Sequence, residues 1–161
     1  MTSQLSGILK TAMVRPALAL DAAQLRAMCW PDRALDSISD LLRHAQTLTQ
    51  NRRGLAAVAV RENIACAFGM LTLWPRTAEI SDLIVTPPYR DQGIGSQIIE
   101  YLIDTARNLR APVVEIGVAL SNPRALALYR RLGFEDHHTV KIDLGYGPET
   151  VLYLYKYLRA T

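Results

Sequence analysis

Apolar positions recur along the chain with two periods, and each period predicts its own kind of element. From Gly93 onward, Ile94, Ile98, Ile99, Leu102, Ile103, Ala106 and Leu109 fall at three- and four-residue intervals, one face of an amphipathic helix. The same rhythm runs through Ile38, Leu41, Leu42, Ala45 and Leu48, with Asp36 as the expected N-cap. A shorter helix carries Leu25 and Met28 between Asp21, its expected cap, and Pro31. In "NPRALALYRRLGF", Asn122 reads as a cap, Pro123 as the first helical residue and Gly133 as the position just past the end. The remaining apolar runs are short and read as strands. They are "TAMVRPA" (11–17), the stretch 54–74 broken into a hairpin at Arg61-Glu62-Asn63, "AEISDLIV" (78–85), "VVEIGVAL" after Pro112, and finally "TVKIDL" and "ETVLYLYKYL". The order β-α-α-β-β-β-α-β-α-β-β predicts an α+β fold, a mixed sheet of about seven strands with about four helices.

Length and composition narrow the class. A chain of 161 residues, half of it hydrophobic and 20% charged, reads as one ordered domain over 1–161, with residues 1–10 as a loose lead-in. No apolar run approaches the ~20 residues of a membrane span, and the N-terminus lacks a signal-peptide pattern. Cys29 and Cys66 have no metal-like spacing, so reduced thiols in a cytoplasmic protein are expected. No metal site is expected either. His44 is isolated, and the adjacent His137 and His138 are expected in an exposed turn before the last hairpin. The net charge of +3 is spread over scattered arginines without a basic stripe, which argues against nucleic acid and suits a small polyanionic cofactor. The tyrosine-rich last strand is expected to be a sheet edge that could pair across a homodimer.

The stretch "VTPPYRDQGIGSQ" (85–97) leaves a strand, turns on Pro87 and Pro88, and sets Gly93 and Gly95 at the entrance of the long helix. Glycine inside a helix is unfavourable by about 1 kcal/mol relative to alanine. One reading is a tight turn with close helix packing. The other is an anion site. The first helical amides have no intrahelical acceptor, the macrodipole adds about half a positive charge, and bare glycines let a phosphate approach. Arg90 is expected to add a mobile positive charge. Neither a P-loop nor a dinucleotide fingerprint is present: Ser96-Gln97 follows the last glycine, and a third glycine in an early βαβ unit is missing.

"YRDQGIGSQIIEYLIDTAR" resembles the acyl-CoA-binding motif of GNAT-type N-acetyltransferases, Arg/Gln-x-x-Gly-x-Gly/Ala, through Arg90, Gly93 and Gly95. The family's second motif, an Asn followed by Ala, Tyr and Gly-Phe, is matched by Asn122, Ala125, Tyr129, Gly133 and Phe134. The element order over residues 11–158 fits as well, so the resemblance covers nearly the whole chain. It implies acetyl-CoA as cofactor, bound where strands 78–85 and 113–118 splay apart. It further implies that Leu83, Ile84 and Val85 pair with the pantetheine arm, and that the Val85 amide polarises the thioester carbonyl. Amides of Asp91, Gln92, Gly93, Ile94, Gly95 and Ser96 are then expected to hold the pyrophosphate, with Arg90 nearby. Asn122 is expected to reach the pantetheine, Ala125 to lie on the cofactor side, and Tyr129 to point at the sulfur. The implied reaction is direct transfer of acetyl to a small-molecule or peptide amine in a ternary complex. The alternative is an acyl-CoA-binding regulatory module without turnover, which the presence of Tyr129 disfavours.

Two catalytic roles need argument. By spacing alone Tyr129 is an amphipathic helix residue; the motif makes it a candidate acid. A tyrosine near pKa 10 is a weaker acid than a thiol near 8.5, so full proton transfer to a leaving thiolate is uphill by roughly 2 kcal/mol. A hydrogen bond to the thiolate is the sounder role. A carboxylate near 4.3 is about six units short of deprotonating an ammonium near 10.4, so a base needs a raised pKa or a path through water. Glu79 and Asp82 are the candidates, expected on opposite faces of their strand, with Ser81 where some family members carry a Glu. Either acid could equally be a solvated strand residue. Trp30, Asp32 and Trp74 are acceptor-site candidates, since the resemblance puts the loop between the first helices and the third strand beside the acceptor pocket. No cysteine is placed to form an acyl-enzyme.

Overall fold

The break at Arg61-Glu62-Asn63 folds as a tight hairpin in the computed structural model, which describes residues 11–143 and 145–159. Strands β2 (Gly54–Arg61) and β3 (Ile64–Leu73) are joined by Glu62 and Asn63, both at positive φ (52° and 64°). This is the turn handedness that matches the twist of paired strands. β1 (Met13–Pro16) flanks β2, and β4 (Ala78–Val85) pairs antiparallel with the other side of β3. β5 (Val113–Ala119) lies parallel to β4, and β7 (Pro148–Tyr157) follows antiparallel, with β6 (Glu135–Asp143) outermost. The sheet order is therefore β1-β2-β3-β4-β5-β7-β6.

Four helices cover the two faces. α3 (Ile94–Asn108) buries Ile94, Ile98, Ile99, Leu102, Ile103 and Ala106 against one face, the stripe that its periodicity predicts. Each fully buried aliphatic side chain there contributes about 1.5–3 kcal/mol. Gly69 of β3 allows the close approach: a Cβ there would meet Ile98 Cγ2 at 2.8 Å. α1 (Ala22–Cys29) and α2 (Leu35–Gln50) cover the opposite face, packing Leu25, Ile38, Leu42 and Ala45 on Val58 and Phe68. α4 (Pro123–Arg131) follows β5.

The functional geometry begins with an irregularity in β4. Met70 pairs with Ser81 and Phe68 with Ile84, so Asp82 and Leu83 together oppose the single residue Gly69. Asp82 takes φ 55°, and such a bulge bends its strand. Pairing of β4 with β5 stops just before it, after Ala78↔Val114, Glu79↔Glu115 and Ile80↔Ile116. Beyond Ile80 the two parallel strands part.

Several expectations are corrected. Asp21 does not cap α1 with its side chain; its carboxylate accepts two bonds from Arg15, both 2.8 Å, and the Leu18 amide at 2.7 Å, closing the turn before the helix. Asp36 lies in the first turn of α2, and Ala34 is the N-cap, because Leu35 already adopts helical geometry. The first strand is shorter than 11–17. His137 and His138 are in β6, not in a turn. A bulge between Asp136 and His138 brings both rings to one face, stacked on Tyr155 and Tyr153. β7 is no edge: it is paired on both sides, and β6 takes the outer place, so the expectation of a homodimer through β7 loses its basis. The lead-in over 1–10 and Leu144, the end of the predicted "TVKIDL" strand, fall outside the described residues.

Candidate active site

The strand leading into α3 and the loop after it set up the first half of the site. Thr86 donates its amide to Cys66 at 2.9 Å, so by antiparallel alternation Val85 turns its N–H and C=O away from β3. That is the side from which β5 has separated. Pro87–Tyr89 then form a single 3₁₀ turn, and Gly93 takes φ 81° as the N-cap of α3. No side chain caps this helix. Among the described residues, none of the amides from Asp91 to Ser96 has a hydrogen-bond acceptor, whereas the flanking Arg90 and Gln97 amides bond to Pro87 and Gly93. A row of orphaned donors at a helix N-terminus is the local chemistry of an anion site.

A cleft of about 710 Å³ opens in front of these amides. From β4 it is lined by Leu83, Ile84 and Val85, and from the turn by Arg90, Asp91, Gly93, Ile94, Gly95 and Ser96. The facing wall is α4, with Asn122, Ala125 and Tyr129. The two glycines differ. A Cβ on Gly93 would meet nothing within 4 Å but would sit at a left-handed φ, while one on Gly95 would make ordinary contacts with Leu128 and Val85. Arg90 lines the cleft, and its Nε donates to the Val85 carbonyl at 2.9 Å. Gln92 does not line the cleft, since its side chain bonds Arg61 and the Pro88 carbonyl. Asn122 caps α4 by accepting the Ala125 amide at 3.2 Å, which leaves its NH₂ for a ligand.

Tyr129 is 6% exposed and packs near Phe134, yet it borders the cleft. Its hydroxyl makes no hydrogen bond among the described residues, and burial pushes its pKa up to about 12. Sequence reasoning misses Arg124 and Arg131, which also line the cleft; Arg124 pairs with Asp91 across its mouth. The signal was available, because positions 124, 128 and 131 share one face of α4.

The remaining candidates separate. Glu79, Ser81 and Trp74 line a second cavity of about 490 Å³ on the α2 side of the sheet. Burial first, then the neighbouring charges of Glu115 and Asp82, raise the Glu79 carboxyl above its ordinary value. Asp82 is exposed at the bulge, where its carboxylate accepts from Ser81 Oγ at 3.2 Å, and it does not line the cavity of Glu79 and Ser81. Trp30 is committed to packing, edge-on to Phe68 at 5.2 Å with Arg33 over its ring. Asp32 is exposed in the turn after α1 and lines neither cavity. Cys29 and Cys66 are buried free thiols away from the cleft.

A sheet split between parallel strands, with orphaned amides at the mouth of the split, is the class of architecture that holds the site. Comparison with known sequences places the chain within that class: the pattern described as "Acetyltransferase (GNAT) family" matches residues 19–134, and the chain belongs to that family. It is 30% identical over 101 residues to the [ribosomal protein bS18]-alanine N-acetyltransferase of Escherichia coli K12, covering 63% of this chain and 66% of that one. It is 36% identical over 69 residues to a thialysine N-epsilon-acetyltransferase of Bos taurus, covering 43% and 41% respectively. The matched regions span from 28% to 66% of the length of these and other curated relatives. Among solved structures, the protein yncA of Salmonella typhimurium, determined with acetyl-CoA, shares the fold at a TM-score of 0.75 and 20% identity, over 92% of this chain and 94% of that one. A ribosomal-protein-alanine N-acetyltransferase of Brucella melitensis gives a TM-score of 0.77 at 23% identity, over 91% and 99%.

Proposed function

We propose that this chain moves an acetyl group from acetyl-CoA to the amine of a small molecule or peptide, by direct attack within a ternary complex. The observation that carries the reading is the run of acceptorless amides at the N-terminus of α3, with Asp91, Gly93, Ile94, Gly95 and Ser96 lining the cleft between β4 and α4. The residues fit the cofactor: the amides and Arg124 suit its phosphates, the outward edge of Leu83–Val85 suits the pantetheine arm, and the Asn122 NH₂ suits its amide carbonyls. Bound there, acetyl-CoA supplies an activated acyl group. The Val85 N–H is oriented to donate to the thioester carbonyl as it gains negative charge.

Tyr129 acts as a hydrogen-bond donor. With its pKa near 12, full proton transfer to a thiolate of pKa near 8.5 is uphill by about 5 kcal/mol, so the hydroxyl keeps its proton. Glu79 is the acceptor-side base, its carboxyl raised above its ordinary value by burial and then by the charges of Glu115 and Asp82. The buried, free Cys29 and Cys66 suit a reducing compartment, and we place the protein in the cytoplasm.

Coenzyme A release measured over a panel of amines, beside acetyl-CoA binding by calorimetry, tests the proposal. Amine-dependent release is expected. Binding without any amine-dependent release would assign the chain to a silent acyl-CoA sensor instead.

A further inference from the structure

The second cavity has a charge arrangement that acetyl transfer by itself does not require. Glu79 and Ser81 stand at its β4 side, on the same strand as the cofactor-lining Leu83–Val85. Arg53 enters from the other flank of β3: the next residue, Gly54, pairs with Thr72, and Thr72 pairs in turn with Glu79. The Arg53 guanidinium is held, not free on its arm, because Nε and Nη2 both donate to the Leu73 carbonyl, at 3.3 and 3.1 Å. Among the described residues neither Glu79 nor Arg53 forms an ion pair, with the other or with any third group. The rest of the wall combines the apolar Leu48, Met70 and Trp74 with the polar His44, Asn51 and Thr72. An acid at one flank and a held guanidinium at the other make a bipolar cavity of about 490 Å³, within the usual size of small-molecule sites.

We propose that the acceptor is a small amine bearing an anionic group at its far end, with its amine toward Glu79 and Ser81 and its anion on Arg53. The inference rests on the acetyltransferase reading and deepens it. A planar guanidinium fork recognises the oxyanions of a carboxylate or a phosphonate alike. Trp74, half exposed at the rim, covers the aliphatic chain between the two charges. Glu115 and Asp82 make the surroundings of Glu79 more acidic still, which favours a cationic amine at that end and repels an anion from it.

The test reads binding, so it does not depend on turnover. The full chain, saturated with coenzyme A, is titrated by calorimetry with 5-aminopentanoate, pentylamine and cadaverine, which share a five-carbon chain and differ only at the far end. The aminocarboxylate is expected to bind about ten-fold tighter than pentylamine, the scale of one charge-assisted contact at a partly solvated site. In Arg53→Gln that ratio should fall to about one, and Arg53→Lys, which keeps the charge without the fork, should fall between. Aminobutylphosphonate in the same titration separates the two anion sources by which binds tighter. Equal or tighter binding of pentylamine or cadaverine to the wild type overturns the inference, as does an undiminished ratio in a folded Arg53→Gln. If coenzyme A itself does not bind, the acetyltransferase reading falls first. If it binds and amines react without regard to their far end, only the present inference falls.

Discussion

The Tyr129 hydroxyl sits at the end of a buried ring, faces the cleft, and has no protein partner to lose. Tyr129→Phe should therefore leave acetyl-CoA affinity and stability nearly unchanged while turnover falls about ten- to a thousand-fold, the range for one lost donor in a transition state. Steady-state kinetics with chemistry rate-limiting checks it, and wild-type turnover would remove the residue from the mechanism. Glu79 carries a pH signature. Its carboxyl is raised by burial, then by Glu115 and Asp82, with Tyr153 feeling the same charge, so its basic form is complete only above the usual carboxylate range. Glu79→Gln should lose most rate near neutral pH and recover as pH climbs toward the amine's own pKa. The same shift predicts a change in stability of the opposite sense. A carboxyl raised on folding is destabilising once ionised, so Glu79→Gln should melt higher than wild type above the folded pKa and equal to it below the unfolded value near 4.3. A flat rate deficit from pH 7 to 10 would contradict the base assignment. Tyr129, Asn122 and the glycines are legible in the sequence because helix-boundary signals place them. Arg53 is not, because its relation to Glu79 exists only through two strand pairings.

Among the elements, the N-terminal turn before α1 depends on one ion pair, with Asp21 buried and Arg15 part-exposed. Burial alone would raise the Asp21 carboxyl, but the Arg15 guanidinium and the Leu18 amide outweigh it and hold the pKa below the ordinary value. Such a depressed carboxyl contributes stability that is present above the unfolded pKa of about 3.9 and is lost as pH falls through the folded one. Asp21→Asn should cost about 1–3 kcal/mol at neutral pH, with Arg15 part-exposed, and should flatten the decline of Tm below pH 4. An unchanged acid limb would reassign that decline to other carboxylates. The element order and the α3 stripe are readable from periodicity, because burial of a whole face overrides local detail. The two bulges are not. Asp82 lies in a run that reads as an unbroken strand and His137 in a stretch that reads as a turn, yet each sits in a bulge within a strand and reverses the side-chain alternation that follows it. For the histidines, the stretch expected as a turn is strand, with one extra residue against its partner.

At the scale of the whole molecule, the parting of β4 and β5 unites these details, because it exposes backbone where a sheet would normally pair it. The Val85 edge, the acceptorless N-terminus of α3 and the α4 wall then share one cleft, and the bipolar cavity lies on the α2 side of the same strand. No helix among the described residues is long and apolar enough to cross a membrane. The most direct measurement is acetyl-CoA titration, by calorimetry, of the wild type and of Gly93→Asn. Asparagine tolerates a left-handed φ and is a favourable N-cap, and nothing in the protein stands within 4 Å of the new Cβ, so Tm should hold. Gly93 lines the cleft, so the added carboxamide is expected to stand before the amides that the phosphates need. The account predicts one tight site in the wild type and a loss of at least about a hundred-fold in the variant, as expected when several charge-assisted bonds are blocked together. Equal affinity in the two proteins, with both folded, would mean that the cofactor binds elsewhere and that the cleft is not its groove.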